Sequence, residues 1–299
     1  IGIWVGYTQH AVITHNQVDD VPYTAISIGW AGWHSNIFRP DDDPNVNADN
    51  VVSDNLLYNY MQTLGDGGAV YTNGGQATGW ATQLEITGNV AYGGTNTDFS
   101  LYTDTGSKYI ELADNIVYDQ PVDSFASGGC HTVGHIHLNG NYFSQIGPLY
   151  PCDAVTDVVP IDTTLVCNIL RPNQAPLRTL ASAGLEPGFE ALLGHEAPTV
   201  TLIGPSTVPL DGGQVLVSGS GFTPSTVVHV GPAVASAVQV LSGNYLLVTV
   251  PPGSGGQPLS VSTAAGSSTP SASTVVTYSS LPSPCLPAVG GGFSAGLAY

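Results

Sequence analysis

A six-residue pattern recurs five times in the first half of the chain and constrains its fold more than any other feature. Apolar residues at alternating positions precede an asparagine in residues 11–16, 50–55, 84–89, 110–115 and 136–141, although the second copy has only Val52. Alternating apolar residues predict strands with one buried face, and asparagines in equivalent bends can bond to one another between stacked strands. The repeat therefore predicts an all-β fold that begins with a right-handed parallel β-helix.

The whole chain divides into four predicted regions. We expect β-helix coils over residues 1–160, with further strands at 25–28, 69–72 and 100–103. A cap or linker with one short helix at 188–193 then covers 161–197. Short Val-rich strands separated by Gly, Pro and Ser predict a small immunoglobulin-like β-sandwich over 198–278, and a Gly/Pro/Ser-rich tail follows at 279–299. The six predicted sandwich strands are 199–203, 214–218, 227–230, 245–250, 259–262 and 274–278.

The charge balance restricts the partners of the protein. Only 4 Lys and Arg oppose 22 Asp and Glu, which gives a formal net charge of −18. Nucleic acids, anionic lipids and polyuronates bind through basic side chains, so these partners are excluded. No apolar run is long enough for a membrane span, and we expect a secreted or cell-surface protein. A predicted strand at residues 1–5 suggests self-assembly, or association with a missing N-terminal portion.

Four cysteines favour disulfides over a zinc or redox site, because none is part of a Cys-x-x-Cys pair. They are Cys130, Cys152, Cys167 and Cys285, and three pairings are open. The preferred pairing joins Cys152 to Cys167 across a short loop and Cys130 to Cys285.

Two family resemblances can be identified. Residues 1–196 resemble the C-terminal half of β-helix proteins related to glycoside hydrolase family 141, whose tested members act on fucose- or xylose-containing glycans. The segments that carry this resemblance are 13–16, 21–23, 27–30, 65–72, 102–107 and 183–187. Residues 198–278 resemble an IPT/TIG domain, through Pro198, Ile203, Pro205, the 215–222 segment and a closing Val-Pro-Pro.

The first resemblance implies that Asp66 and Asp104 are the catalytic acids. Glycoside hydrolysis uses two carboxyl groups, one protonating the leaving oxygen and the other acting as nucleophile or base. Related proteins commonly carry a second acid directly after the later aspartate, where this chain has Thr105. The residues leave retaining and inverting chemistry both open.

Aromatic residues near these acids are candidate walls of a sugar-binding groove, because sugar rings stack on aromatic faces. They are Tyr23, Trp30, Trp33, Tyr71 and Tyr102. The alternative is that some of them, Tyr71 above all, cap the core of the coils.

Two segments are candidate metal sites, although no cofactor is required. Asp41, Asp42 and Asp43, with nearby Asn45, Asn47 and Asp49, form an acidic loop of a type that binds calcium or is simply solvated. His135 and His137 share one strand, with Ile136 and Leu138 directed inward. They are either metal ligands or an ordinary surface pair.

The sequence therefore predicts a secreted carbohydrate-active protein, most concretely a glycoside hydrolase that acts on a neutral glycan. A lyase is disfavoured because it would need basic residues, and Lys108 is the only one near Asp104. The rival hypothesis is a non-catalytic extracellular β-solenoid with a structural, fibre-forming or surface-adhesion role.

Overall fold

A computed structural model of the chain describes residues 1–30, 45–95, 99–119, 124–127, 133–149, 156–161, 163–167, 169–193 and 196–280. The chain divides into two compact units, here called the N-terminal unit (described residues up to 167) and the C-terminal unit (described residues 169–280).

The N-terminal unit is built from short strands. They are β1 (Ile3–Val5), β2 (Val12–Thr14), β3 (Gln17–Asp19), β4 (Ile26–Ile28), β5 (Val51–Ser53), β6 (Leu56–Tyr58), β7 (Val70–Thr72), β8 (Leu84–Thr87), β9 (Val90–Tyr92), β10 (Leu101–Thr103), β11 (Lys108–Ala113), β12 (Ile116–Tyr118), β13 (Phe125–Ser127), β14 (Gly134–Asn139), β15 (Tyr142–Phe143), β16 (Ile146–Leu149), β17 (Thr156–Ile161) and β18 (Thr164–Leu165). The predicted strands at 25–28, 69–72 and 100–103 correspond to β4, β7 and β10.

Every third strand belongs to the same parallel sheet. Sheet 1 has the order β1-β4-β7-β10-β13-β16, sheet 2 the order β17-β14-β11-β8-β5-β2, and sheet 3 the order β18-β15-β12-β9-β6-β3. Each set of three consecutive strands, here called a coil, therefore adds one strand to each sheet. The parallel pairing of strands from successive repeats, which the sequence predicted, is confirmed.

The five predicted asparagines form one continuous ladder at the bend between sheets 2 and 3. The side-chain amide nitrogen of Asn16 donates to Oδ1 of Asn55 at 2.9 Å. The same bond joins Asn55 to Asn89 at 2.9 Å, Asn89 to Asn115 at 3.0 Å, and Asn115 to Asn141 at 3.0 Å. Their spacing along the chain is 39, 34, 26 and 26 residues, so insertions between coils leave the ladder intact.

The ladder also satisfies the backbone where the chain turns. The backbone N–H of Asn115 donates to Oδ1 of Asn141, and the Asn115 side chain donates to the carbonyl of Ile86 in the preceding coil. The residue before each ladder asparagine has a left-handed backbone, and Gly140 shows why some of these positions are glycine. A Cβ atom on Gly140 would lie 2.5 Å from the Asp114 carboxylate of the preceding coil. At each buried bend, the hydrogen bonds of the ladder therefore take the place of hydrogen bonds to water.

Inward-facing residues of the three sheets share one apolar core. Sheet 2 contributes Ile13, Val52, Ile86, Leu112 and Leu138, which are register partners in successive strands. Equivalent columns come from sheets 1 and 3, and all belong to a single cluster of buried side chains. On the outer side of sheet 3, the rings of Tyr58, Tyr92 and Tyr118 stack at centroid distances of 5.2 and 5.1 Å.

The C-terminal unit begins with two short helical segments, α1 (Leu177–Ser182) and a 3-10 turn at Glu190–Leu193. The expected helix at 188–193 is thus a 3-10 turn, and the α-helix lies earlier in the chain. Its N-cap is Pro176, no side chain caps it, and no acidic residue lies in its first turn. A capping side chain and an acidic residue in the first turn are the usual signals of a helix start. Because both are absent, the sequence did not predict α1.

A β-sandwich completes the C-terminal unit. Its strands are β19 (Thr199–Gly204), β20 (Thr207–Val208), β21 (Gly213–Ser220), β22 (Val227–Val230), β23 (Ala233–Val234), β24 (Ala237–Val240), β25 (Tyr245–Val250), β26 (Gly255–Thr263), β27 (Gly266–Ser267) and β28 (Val275–Tyr278). Sheet 4 has the order β19-β21-β25-β24, and sheet 5 the order β20-β28-β26-β22-β23, with β27 beside β26. Apolar side chains from both sheets form one core. All six strands predicted for this region are present.

Truncating the middle of the ladder should destabilise the N-terminal unit strongly. Asn115→Ala leaves several buried donors and acceptors without partners, so we expect the free energy of unfolding to fall by about 3 to 5 kcal/mol. Chemical denaturation followed by circular dichroism measures this change.

Asn139→Ala is the matched control, because Asn139 is exposed and lies only two residues before Asn141. It should cost less than about 0.5 kcal/mol. Equal losses in the two variants would contradict a stabilising role for the ladder.

Candidate functional site

The outer face of sheet 1 carries two of the predicted site residues side by side. Tyr71 on β7 and Tyr102 on β10 are register partners, and their rings meet edge-on at a centroid distance of 5.4 Å. Phe99 packs edge-on against Tyr102 at 4.8 Å. With Ala126, these rings form a cluster separate from the main core, and Tyr71 and Tyr102 are only 9% and 8% exposed.

The Asp104 carboxylate lies at the end of β10 and accepts four hydrogen bonds. Its Oδ2 accepts from the Tyr71 hydroxyl at 2.7 Å and from the side-chain amide of Asn73 at 3.1 Å. Its Oδ1 accepts from the backbone N–H of Thr105 at 2.6 Å and from the Thr105 hydroxyl at 3.1 Å. A carboxylate offers about four acceptor positions, so these donors fix its orientation fully. Thr105, which stands where the family resemblance led us to expect an acid, is one of these donors.

Asp66 lies in the turn that leads into β7 and has a left-handed backbone, with φ of 62°. Its side chain is exposed, and its backbone carbonyl accepts a hydrogen bond from the Tyr23 hydroxyl at 2.5 Å. The next two residues must be small, because a Cβ on Gly67 would lie 2.3 Å from the Thr24 hydroxyl. A Cβ on Gly68 would lie 2.6 Å from the carbonyl oxygen of Phe99. The two glycines therefore allow the turn that carries Asp66 to pack closely against the neighbouring coils.

Both predicted acids affect the pKa of the Tyr71 hydroxyl. Burial raises the pKa of the Tyr71 hydroxyl well above its ordinary value, and the charge and hydrogen bond of Asp104 raise it further. The charge of Asp66 acts in the same direction. Asp104 therefore acts on the Tyr71 phenol directly, whereas Asp66 contributes only the smallest of these effects, through its charge.

Sequence reasoning missed Asn73, which joins Tyr71 to Asp104. Its side-chain amide donates to both, at 3.1 Å each. Within the part of the chain that the structure describes, its side-chain oxygen is buried and has no hydrogen-bond partner. An unpaired buried acceptor lowers the stability of the fold by about 1 to 3 kcal/mol. Acceptors of this kind often lie at functional sites. The Asn73-Gly74 pair after a strand was the available signal, although it also fits an ordinary turn.

The other predicted groove residues are placed only in part. Trp30 is half-buried just after β4, and Trp33 lies outside the described residues.

The proposed calcium ligands Asp41, Asp42 and Asp43 also lie outside the described residues. Of their neighbours, Asn45 donates to the Gly75 carbonyl, and Asn47 donates to the carbonyls of Gly29 and Gly75. Both amides therefore join coils through backbone carbonyl groups.

The two strand histidines face outward as expected, with Ile136 and Leu138 buried between and after them. His137 lies beside Glu111, with Nδ1 and Oε2 separated by 3.2 Å. No group of three or more His, Cys, Asp or Glu in the described ranges has the geometry to hold a metal ion.

Cys167 is buried and disulfide-bonded. The other three cysteines lie outside the described residues, so the pairing of Cys152 with Cys167 and of Cys130 with Cys285 stays a prediction. None of the described helices is long and apolar enough to cross a bilayer.

Tyr71→Phe should change how stability depends on pH. The folded protein holds the Tyr71 proton to higher pH than the unfolded chain, so unfolding releases a proton above pH ~10 and stability falls as pH rises. Removing this hydroxyl should reduce the fall in the free energy of unfolding by about 1.4 kcal/mol per pH unit between pH ~10 and ~12.

Urea denaturation at a series of pH values measures both slopes. Between pH ~7 and ~9 neither state loses this proton, so the slopes of the two proteins should agree there. Parallel curves above pH ~10 would contradict the burial of an un-ionised Tyr71.

Comparison with known proteins gives a family match for part of the chain and distant structural likenesses. A solved structure named "Glycoside hydrolase" is similar to this chain with a TM-score of 0.40 and 22% sequence identity. The similarity covers 62% of this chain and 25% of that one, so the match extends over only a quarter of the solved structure. No curated protein matches. The family model for the IPT/TIG domain matches residues 198–278, which include the strands of sheets 4 and 5. This segment is therefore an IPT/TIG domain, as its resemblance implied.

Proposed function

We propose that the N-terminal unit is a right-handed parallel β-helix related to glycoside hydrolase family 141, and that the protein is a secreted glycoside hydrolase acting on a neutral glycan. The observation that carries this proposal is the hydrogen bond from the Tyr71 hydroxyl to Asp104 within a cluster of aromatic rings, with Asp66 on the turn that leads into the strand of Tyr71. Glycoside hydrolysis requires two carboxyl groups.

The surroundings of the two acids suggest different roles. Asp104 is surrounded by donors, which suits a carboxylate that acts as nucleophile or base. Asp66 is exposed on its turn, where a glycosidic oxygen can approach it, which suits the general acid. In this mechanism Asp66 protonates the leaving oxygen as the glycosidic bond breaks. Asp104 either takes a proton from the water that attacks the anomeric carbon, or attacks that carbon itself after the Thr105 hydroxyl is displaced. In the second case water then hydrolyses the glycosyl–enzyme bond, and Asp66 accepts its proton.

The groove would be completed by aromatic rings and by an amide. Tyr23 is held over the Asp66 turn by its hydroxyl, and Tyr102 packs beside Tyr71. Trp30 and Trp33 would supply further faces for sugar rings. The unpaired side-chain oxygen of Asn73 would accept a hydrogen bond from a sugar hydroxyl. A neutral glycan fits because the chain has only 4 Lys and Arg to bind acidic sugars. The IPT/TIG domain would be a spacer or attachment module.

The second candidate function is a non-catalytic extracellular β-solenoid with a structural or adhesive role. The same Asp104 contacts favour it, because a carboxylate with all acceptor positions occupied is also a good structural crosslink. The near-complete burial of Tyr71 agrees with this reading.

A digestion experiment separates the two functions. The purified chain is incubated with a panel of neutral polysaccharides, including fucose- and xylose-containing glycans, and released reducing ends are measured. We expect hydrolysis by the unmodified protein and a loss of at least about 100-fold in Asp66→Asn and in Asp104→Asn, because each removes an acid–base group.

Asp211→Asn is the matched control, since Asp211 is an exposed aspartate of the C-terminal unit. It should keep full activity. Activity that survives in both site variants would remove Asp66 and Asp104 as catalysts, and a folded protein that digests none of the glycans would favour the structural role.

A further inference from the structure

The outer face of sheet 2 carries a column of ionisable side chains that takes no part in the proposed catalytic site. Glu85 on β8, Glu111 on β11 and His137 on β14 are register partners in three neighbouring strands. Neighbouring strands lie about 4.8 Å apart, so these side chains stand directly beside one another. Glu85 is exposed, and Glu111 and His137 keep 23% and 31% of their side-chain surface.

Aromatic rings flank this column on one side. The Trp80 indole stacks on the His137 imidazole, with centroids 3.9 Å apart and planes 15° from parallel. Trp80 also meets the edge of Tyr109 at 5.8 Å, and Tyr109 stacks on His135 at 4.7 Å. The rings therefore form a continuous half-exposed ridge beside the two carboxylates.

Neither carboxylate has a lysine or arginine partner among the described residues. Within the same residues, Glu85 accepts a hydrogen bond from the Gln83 amide at 3.4 Å. Glu111 lies 3.2 Å from His137, which forms an ion pair with it when protonated. Like charges on directly opposed residues repel each other, and a cation placed between them removes that repulsion. The net charge of −18 also attracts cations to the whole surface.

A column of small polar residues lies next to the acids on the same face. Thr14, Ser53 and Thr87 are register partners on β2, β5 and β8, and the hydroxyls of Thr14 and Ser53 are 3.0 Å apart. Hydroxyls and aromatic rings are the groups that bind the hydroxyls and C–H surfaces of a sugar. Groups suited to binding a cation and groups suited to binding a sugar thus lie on the same face.

We propose that the outer face of sheet 2 binds a polymer of amino sugars with free, protonated amines. An amine sits between Glu85 and Glu111, the ring packs against the Trp80 and Tyr109 ridge, and sugar hydroxyls bond to the Thr14, Ser53 and Thr87 column. The site shares no residue with the Asp66 and Asp104 site. It therefore goes beyond the proposed hydrolase and does not depend on it.

Binding of matched ligands tests this proposal. Isothermal titration calorimetry at low salt compares a glucosamine oligomer with the fully N-acetylated oligomer of the same length, which keeps the ring and loses the charge. A lysine oligomer with the same number of amines keeps the charge and loses the ring. We expect the glucosamine oligomer to bind at least about tenfold more tightly than either, since charged hydrogen bonds and ring contacts each contribute.

Charge-matched variants locate the site. Glu85→Gln and Glu111→Gln should each weaken glucosamine binding about tenfold, because each removes one charged partner of the amine. Glu186→Gln removes the same charge from an exposed position in the C-terminal unit and should leave binding unchanged. Asp66→Asn and Asp104→Asn should also leave it unchanged, so failure of the hydrolase proposal is distinguishable from failure of this one.

Three results would overturn the proposal. The first is equal binding of the N-acetylated oligomer, which would mean that the amine is not recognised. The second is equal binding of the lysine oligomer, which would indicate a site for basic peptides. The third is a Glu186→Gln loss as large as that of Glu85→Gln, which would indicate non-specific attraction to an acidic surface.

Discussion

The N-terminal unit depends on the asparagine ladder. A stack of short parallel strands must turn sharply between its sheets, and each turn leaves buried backbone N–H and C=O groups that need partners. One asparagine per coil provides them, because its amide bonds to the coils on both sides. The repeated bond fixes the register of every coil against the next. The register in turn determines which residues meet on an outer face of a sheet.

This register assembles sites from distant parts of the sequence. Tyr71 and Tyr102 are brought together as partners on β7 and β10. The turn after β10 carries Asp104 to the Tyr71 hydroxyl, and Asp66 lies in the turn before β7. Glu85 and Glu111 are joined in the same way on sheet 2. The two faces nevertheless differ in character. The sheet 1 cluster is nearly buried, and its Asp104 carboxylate accepts four hydrogen bonds, whereas the sheet 2 column is open and places two carboxylates side by side.

Much of the architecture could be predicted from local patterns. The asparagine repeat and the alternation around it identified the coils, and the six Val-rich segments identified the core of the IPT/TIG domain. The omissions have local causes. The α1 helix lacks capping residues and is anchored by buried Leu180, and β24 is a four-residue edge strand with little burial. Stability of such elements comes from packing, which no short window of sequence contains.

The asparagine repeat, the acidic character and the identity of the candidate acids follow from residue type and spacing alone. Which of those residues meet depends on the folded arrangement of the coils. That arrangement binds Asp104 to Tyr71, Asn73 and Thr105, and it aligns Glu85, Glu111 and His137 across three coils. Hydrogen bonds and charge interactions fall off within a few ångströms, so they depend on the register between coils and on loop lengths, which the order of residues within one strand does not specify.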